Sequence, residues 1–308
     1  MKIRRQDILG VLALSAAVFL FVGGPGPESL RSFRYLWGMG HLFCFALWAY
    51  LYVCWRPHLS FKRYLFEIVF FATLFGGLSE LIQSQIGREA AWSDLGNDIV
   101  GALGGLCFFS ESRKTVAVRR LRVLQAPILF LALWALLPVS KVFVDDLISW
   151  RQFPLLSGFE TPLEKTRWSG SVRRRISNKI FFSGTSSLQV ELSRQRYSGI
   201  GLKDFPRDWS SYRAVSLQVF NPDNENLILH FRIHDQHHRD YKNVYSDRFN
   251  ASFDLIPGWN HLEVSLATAE HAPKNRLMDM HHIAGMGLFV GKLTHSRTIY
   301  LDDVRLLP

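Results

Sequence analysis

Eight residues between 197 and 250 carry the side chains that sugar recognition needs. Tyr197, Arg232, His234, Asp235, Tyr241, Tyr245, Arg248 and Asn250 combine two kinds of group. Amide, carboxylate and guanidinium groups hydrogen-bond hydroxyls, and aromatic faces cover the apolar patches of sugar rings. Most of them lie in HDQHHRDYKNVYSDRFN, residues 234–250. For any one of these residues the competing reading is a polar hairpin that only solvates its strands. A zinc site is not expected at His237-His238, because adjacent residues on a strand point oppositely and no chelating spacing follows. No paired catalytic carboxylates stand at identifiable positions in this half, which argues against glycoside hydrolysis.

A second polar group lies in the other half of the chain, in GGLSELIQSQIGREAAWSDLGNDIVGALGG, residues 76–105. Glu80 and Gln83 are three residues apart and share a helical face. Arg88 follows in a connection. Asp94, Asn97, Gly101 and Gly104 or Gly105 then recur at three- to four-residue spacing, a polar stripe leading into small residues that admit a close helix. His41, from a neighbouring apolar run, could join the cluster. Polar groups in or beside a bilayer usually face a partner or a wet cavity. Two readings follow: a salt-bridge network that fixes a helical hairpin, or a site in which Glu80 or Asp94 acts as acid, base or metal ligand and Arg88 holds phosphate. Asp98 falls about 100° off the stripe and ranks below it.

The elements that must position these groups differ between the halves. Five apolar stretches, roughly 8–24, 35–55, 64–81, 95–109 and 123–144, occupy the first half. A span takes about 20 mostly apolar residues, and the fourth stretch is short for one. Eleven basic residues lie before the first stretch and in alternate connections, and the other connections hold only Arg31, Arg34 and Arg88. This asymmetry predicts a cytoplasmic N-terminus, five crossings and an outer C-terminal half. The basic start and apolar run at 2–24 lack a clear cleavage site, so an uncleaved anchor is expected. Cys44, Cys54 and Cys107 all lie in apolar runs, so the second half cannot depend on disulfides.

From Gly158 the pattern changes to short period-two segments: 186–192, 214–220, 227–233, 251–255, 261–266, 285–290 and 298–306, separated by turn signals such as NPDN and PGW. The expected fold is therefore multidomain. An all-α helical transmembrane domain of five spans (1–148) and a linker (149–157) precede an all-β antiparallel jelly-roll sandwich (158–308). The chain has 36 Lys and Arg against 26 Asp and Glu. Each half contributes equally to the excess, and no basic stripe is confined to one exposed element. Arg173-Arg174-Arg175 reads as a solvated turn, and no nucleic-acid partner is expected.

Two resemblances sharpen this reading. The series Glu80, Gln83, Arg88, Asp94, Asn97, Gly101, Gly104, with His41 followed by Phe45, resembles the signature of the VanZ-like membrane family over about residues 8–145. That resemblance implies a small bacterial helical membrane domain. The family is associated with resistance to teicoplanin-type glycopeptide antibiotics and with cell-envelope loci, and brings no reaction with it. GFETPLEKTRW (158–168), YSGIGLKDFPRDWSSYRAVSLQVFNPD (197–223), YSDRFNASFDLIPGWNHLEVSL (245–266) and TIYLDDVRL (298–306) resemble the galactose-binding-like sandwich of carbohydrate-binding modules. Such modules often hold a structural calcium between an early-strand Glu and a final-strand Asp, which implies Glu160 with Asp302 or Asp303.

The leading expectation is a non-hydrolytic, multi-pass protein of the bacterial plasma membrane. It would display an outer module to cell-wall glycan or exopolysaccharide, and the helical half would contact lipid and a lipid-linked glycan. The alternative is a membrane enzyme acting on a lipid-linked or phosphorylated envelope precursor through Glu80, Arg88 and Asp94.

Overall fold

The computed structural model describes residues 5–21, 24–26, 28–85, 92–241 and 243–308. The chain divides into two compact units, Met1–Phe143 and Val144–Pro308.

The first unit is helical. Its elements are α1 (Arg5–Phe21), α2 (Arg31–Gly38), α3 (Gly40–Trp55), α4 (Phe61–Gln85), α5 (Trp92–Gly104) with a following π turn (Gly105–Phe109), and most of α6 (Val118–Gln152). Every apolar stretch read from the sequence becomes a helix, but the expectation of five spans is corrected. Among the described residues only Arg31–Trp55 and Val118–Gln152 are long and apolar enough to cross a membrane. At 1.5 Å per residue, α1 reaches about 25 Å and α5 about 20 Å, short of a hydrocarbon core of about 30 Å. α4, at 25 residues, is long enough, and it carries Lys62, Arg63 and Glu67 in its first two turns.

Close packing of α3 on α5 organises this unit. A Cβ on Gly101 would stand 2.1 Å from the Leu42 carbonyl oxygen, and one on Gly105 would stand 2.2 Å from that of Ala46. Two glycines one turn apart thus let the helix backbones touch. α1 is tied to α3 by the Trp48 indole, which donates to the Ala13 carbonyl at 2.9 Å.

The second unit is an antiparallel two-sheet sandwich with its own core. Its strands are β1 (Leu155–Ser157), β2 (Trp168–Ser169), β3 (Arg173–Ser177), β4 (Ser187–Leu192), β5 (Tyr197–Leu202), β6 (Ala214–Asn221), β7 (Leu227–Asp235), β8 (Phe249–Leu255), β9 (Gly258–Ser265), β10 (Ile283–Gly291) and β11 (Arg297–Leu307). One sheet runs β3-β4-β11-β6-β9 with β1 added to β11, and the other runs β2-β5-β10-β7-β8. Most connections change sheet, the path of a jelly roll. Alternation drives the packing: Leu227, Leu229, Phe231 and Ile233 of β7 face Val215, Leu217, Val219, Leu301 and their neighbours in one buried cluster. All seven strands expected from the sequence are present. The arginine triplet expected in a turn is instead the edge strand β3, paired with β4.

The stretch between the apolar runs and the sandwich is structured. α6 continues to Gln152, and β1 pairs with the last strand. The last turns of α6 belong to the second unit through a buried ion pair. Arg167 Nη2 donates to Asp145 Oδ1 at 2.8 Å, Nε to both carboxylate oxygens at 3.1 Å, and Nη1 to the Leu156 carbonyl at 2.9 Å. Both side chains are almost wholly shielded from solvent, at 1% and 2% exposure. Glu164, also buried, accepts from the backbone N–H groups of Gly158, Phe159 and Thr161.

Candidate functional site

The outward face of the five-stranded sheet is floored by glycine. In register, Gly199 of β5, Phe289 of β10, His230 of β7 and Ser252 of β8 form one row, and Gly201, Gly287, Arg232 and Asn250 form the next. Gly285 and His234 continue the pattern beyond a bulge. β10 reads Gly285, Gly287, Phe289, Gly291 on this side and Met286, Leu288, Val290 on the core side. With no side chains standing on the floor, the neighbours lie down across it. A Cβ on Gly287 would meet Arg232 Nε at 2.7 Å, and one on Gly285 would meet the His234 ring at 2.8 Å.

Aromatic side chains frame the floor. Phe289 packs edge-on against Tyr197 at 6.1 Å and lies 5.1 Å from the His230 ring, whose Nδ1 pairs with Ser252 Oγ at 2.8 Å. Tyr197 and Tyr245 are 61% and 68% exposed, and the Arg196 guanidinium lies 5.5 Å over the Tyr197 ring. The Arg248 guanidinium sits 5.2 Å above the Tyr245 ring, and its Nε donates to Asn250 Oδ1 at 3.0 Å.

Burial holds His234 neutral, pushing its pKa down to about 3, with the charges of Arg232, His238 and Arg248 acting in the same direction and Asp235 opposing them. Burial lowers His238 as well. Two buried ring nitrogens, His234 Nδ1 and His238 Nδ1, have no hydrogen-bond partner.

Most of the expected sugar contacts therefore meet on or beside this face: Tyr197, Arg232, His234, Tyr245, Arg248 and Asn250. Asp235 does not reach it. It is fully buried, caps the short helix α7 (Gln236–Asp240) by accepting from the His238 N–H at 3.0 Å, and accepts from Arg276 and from the Asp279 N–H at 2.9 Å. Burial pushes its carboxyl up, but those donors outweigh burial and hold it below the usual carboxylate range. Arg276 also grips Asp247 through Nε and Nη2 at 2.8 and 2.9 Å, so one guanidinium anchors both ends of the segment that carries Tyr241 and Tyr245. Tyr241 stacks on His237 at 5.4 Å, at the end of α7. Phe289 and the glycine floor were missed. The alternation G-x-G-x-F-x-G over 285–291 was their signal, since one face of such a strand is bare except for a ring.

The carboxylates expected to hold calcium accept hydrogen bonds from the protein in this structure. Glu160 accepts from Thr185 N and Oγ1 and from Ser186 N at 2.7–3.3 Å, and Asp302 accepts from Phe182 N, Ser183 N and Asp303 N at 2.7–3.0 Å. Asp303 is engaged by Arg305. The loop thus turns N–H donors toward these carboxylates, where a calcium ion would need further oxygens. Gly184, at φ +66°, is what brings the loop so near: a Cβ there would stand 2.2 Å from Glu160 Oε1. Among the described residues no three His, Cys, Asp or Glu side chains gather to hold a metal.

In the helical unit the structure selects Asp98. Its Oδ1 lies 2.9 Å from His41 Nδ1, with Asp98 fully buried and His41 nearly so. Gly76 of α4 makes room, since a Cβ there would stand 2.3 Å from Asp98 Oδ2. Asp94 and Asn97 are half-buried on α5. Arg88 and the side chains of Glu80 and Gln83 lie outside the described residues.

No family model and no curated protein matches the chain. Among solved structures it is similar to the Family 11 carbohydrate-binding module from Clostridium thermocellum in complex with a β-1,3-1,4-mixed-linked tetrasaccharide. That match has 15% identity and a TM-score of 0.40, covering 50% of this chain and 94% of that one. It is also similar to an exo-β-agarase (17% identity, TM-score 0.41, 50% of this chain and 24% of that one). A third is the C-terminal family 22 carbohydrate-binding module of Clostridium thermocellum Xyn10B (14% identity, TM-score 0.32, 46% and 85%). These are loose likenesses.

Proposed function

We propose that the outward face of the five-stranded sheet binds a glycan without cleaving it, and that the helical unit holds the protein in a bacterial envelope membrane. The observation that carries the first part is a glycine-floored strip, Gly199 and Gly201 with Arg232 and His234 laid over Gly287 and Gly285, bordered by Tyr197, Phe289 and Tyr245. Such a surface admits a flat pyranose ring against aromatic and polar groups at once. Supporting the second part, α6 leaves Phe130, Leu133 and Trp134 more than half exposed, which suits lipid better than water. The VanZ-like character of the Glu80–Asn97 series fits the same placement. The buried His41–Asp98 pair serves as a tie between α3 and α5, and glycan contact is assigned to the sheet.

The test is binding of the detergent-solubilised full chain to immobilised cell-wall glycans and exopolysaccharides. Wild type is expected to be retained, and Phe289→Ala to lose about tenfold in affinity with its melting temperature little changed. Absence of retention of folded wild type on every glycan would sink the reading.

A further inference from the structure

Charge on the two sandwich faces is handled differently. On the outward side of the six-stranded sheet, Arg175 meets Glu191 at 3.3 Å, Arg173 approaches the same carboxylate at 3.9 Å, and Arg213 meets Glu263 at 2.9 Å. On the glycine-floored face, among the described residues, no carboxylate lies within ion-pair distance of Arg232 or Arg248. Arg232 Nε is buried and has no hydrogen-bond partner, and the group's nearest ring is Phe289 at 6.0 Å. Arg248 Nε has only the neutral Asn250 amide oxygen.

Burial, then the charge of Arg248, disfavours the charged form of Arg232. The acids nearest in sequence, Asp235 and Asp247, are both held by Arg276. On β8 the outward carboxylate is Asp254, four residues beyond Asn250. That is about 13 Å along a strand, and Asp254 already accepts from the Asn226 amide.

Two half-buried guanidinium groups close enough to repel each other, without an internal counter-charge, are a cost to the folded protein that a bound anion removes. We infer that the glycan recognised by this face carries carboxylate groups, as a polyuronate does, and that Arg232 and Arg248 receive them. This rests on the glycan-binding reading above and names the ligand class. A planar carboxylate meets a guanidinium fork edge to edge through two parallel hydrogen bonds. The stem and Nε of Arg232 lie across Gly287, leaving its two Nη groups to meet a ligand, and the guanidinium of Arg248 lies over Tyr245. A carboxylate on the rim of a pyranose reaches such forks while the ring face stays free for Phe289 and Tyr197.

The experiment measures binding of the full chain in detergent to polygalacturonate and alginate, to carboxyl-reduced polygalacturonate, to a neutral β-glucan and to dextran sulfate. Wild type is expected to bind the polyuronates at least about tenfold tighter than the carboxyl-reduced polymer. Arg232→Gln and Arg248→Gln should each remove most of that difference, weakening binding to the polyuronates far more than binding to the reduced polymer. Arg232→Lys, which keeps charge but not the fork, should fall between. Melting temperatures report whether each variant is folded. Equal binding to the acidic and reduced polymers would overturn the inference while leaving glycan binding intact. Dextran sulfate bound as tightly as polyuronate, and insensitive to Arg232→Gln, would mean adsorption of any polyanion and would equally overturn it. Failure of every polysaccharide to bind would remove the glycan reading itself.

Discussion

The two outward faces of the sandwich are built from the same alternating strands, yet one is finished and the other is not. On the six-stranded sheet each outward group described has an answer across the strands: Arg175 to Gln189 and Glu191, Arg213 to Glu263, Gln218 to His261 at 2.9 Å, and Phe220 packed tilted against Trp259 and edge-on against Tyr300. On the five-stranded sheet the floor is glycine, two tyrosines are well exposed, and Arg232 Nε and His234 Nδ1 are buried without hydrogen-bond partners. Pairing marks the groups that hold the framework, and its absence marks the groups left for something else. Composition cannot make this distinction, because both faces carry arginine, glutamine or asparagine, and aromatic residues.

The strongest challenge to this rule comes from the best-paired arginine. Asp145→Ala would leave buried Arg167 with only the Glu164 carboxylate, at 4.0 Å, as counter-charge, so the second unit should lose about 2–4 kcal/mol, read by urea unfolding of a 144–308 fragment. A 155–308 fragment, which also lacks Asp145, should be destabilised to a similar degree. A loss below about 1 kcal/mol would mean that pairing there is incidental.

An intermediate effect is expected from His234. Its folded pKa lies below the unfolded value of about 6.5, so the neutral ring's contribution is complete above that pH and is lost as pH falls toward about 3. The melting temperature should drop over this window, and His234→Gln should flatten the drop. The groups facing it, Arg232, His238, Arg248 and Asp235, remain in the variant, so a residual slope from His238 is expected. An unchanged profile would show that His234 carries no such burden.

The smallest effect belongs to the finished face. Glu263→Gln breaks an exposed pair with Arg213 and should change stability by no more than about 0.5 kcal/mol, with polysaccharide binding unaltered. Loss of binding in that variant would reverse the assignment of the two faces.

Much of the sandwich was legible because apolar residues alternate on strands such as 227–233 and 214–220. β5 was not: in YSGIGL the outward positions after Tyr197 are glycines, so the segment reads as loop although its core face, Ile200 and Leu202, is regular. β3 was hidden by three consecutive arginines, whose strand character comes only from pairing with β4. Within the site, Tyr197, Arg232, Tyr245, Arg248 and Asn250 were recognisable by type. The burial of Asp235 was not, because it depends on Arg276, 41 residues away. In the helical unit, Asp98, Gly101 and Gly105 share a face at i, i+3 and i+7 just as Asp94, Asn97, Gly101 and Gly104 do. Two overlapping stripes cannot be told apart until α3 is placed against one of them.

The side chains that lie down across the glycine floor also set the thermodynamics of whatever settles there. Arg232 and His234 are held flat by the strands beneath them, and Arg248 is held over a ring, so their rotamer freedom is largely spent before a ligand arrives. An arginine normally surrenders on the order of 1.5–2 kcal/mol of side-chain entropy when it is fixed. On this surface that loss is charged to folding, and association is expected to be enthalpic, with little ordering of the protein to oppose it.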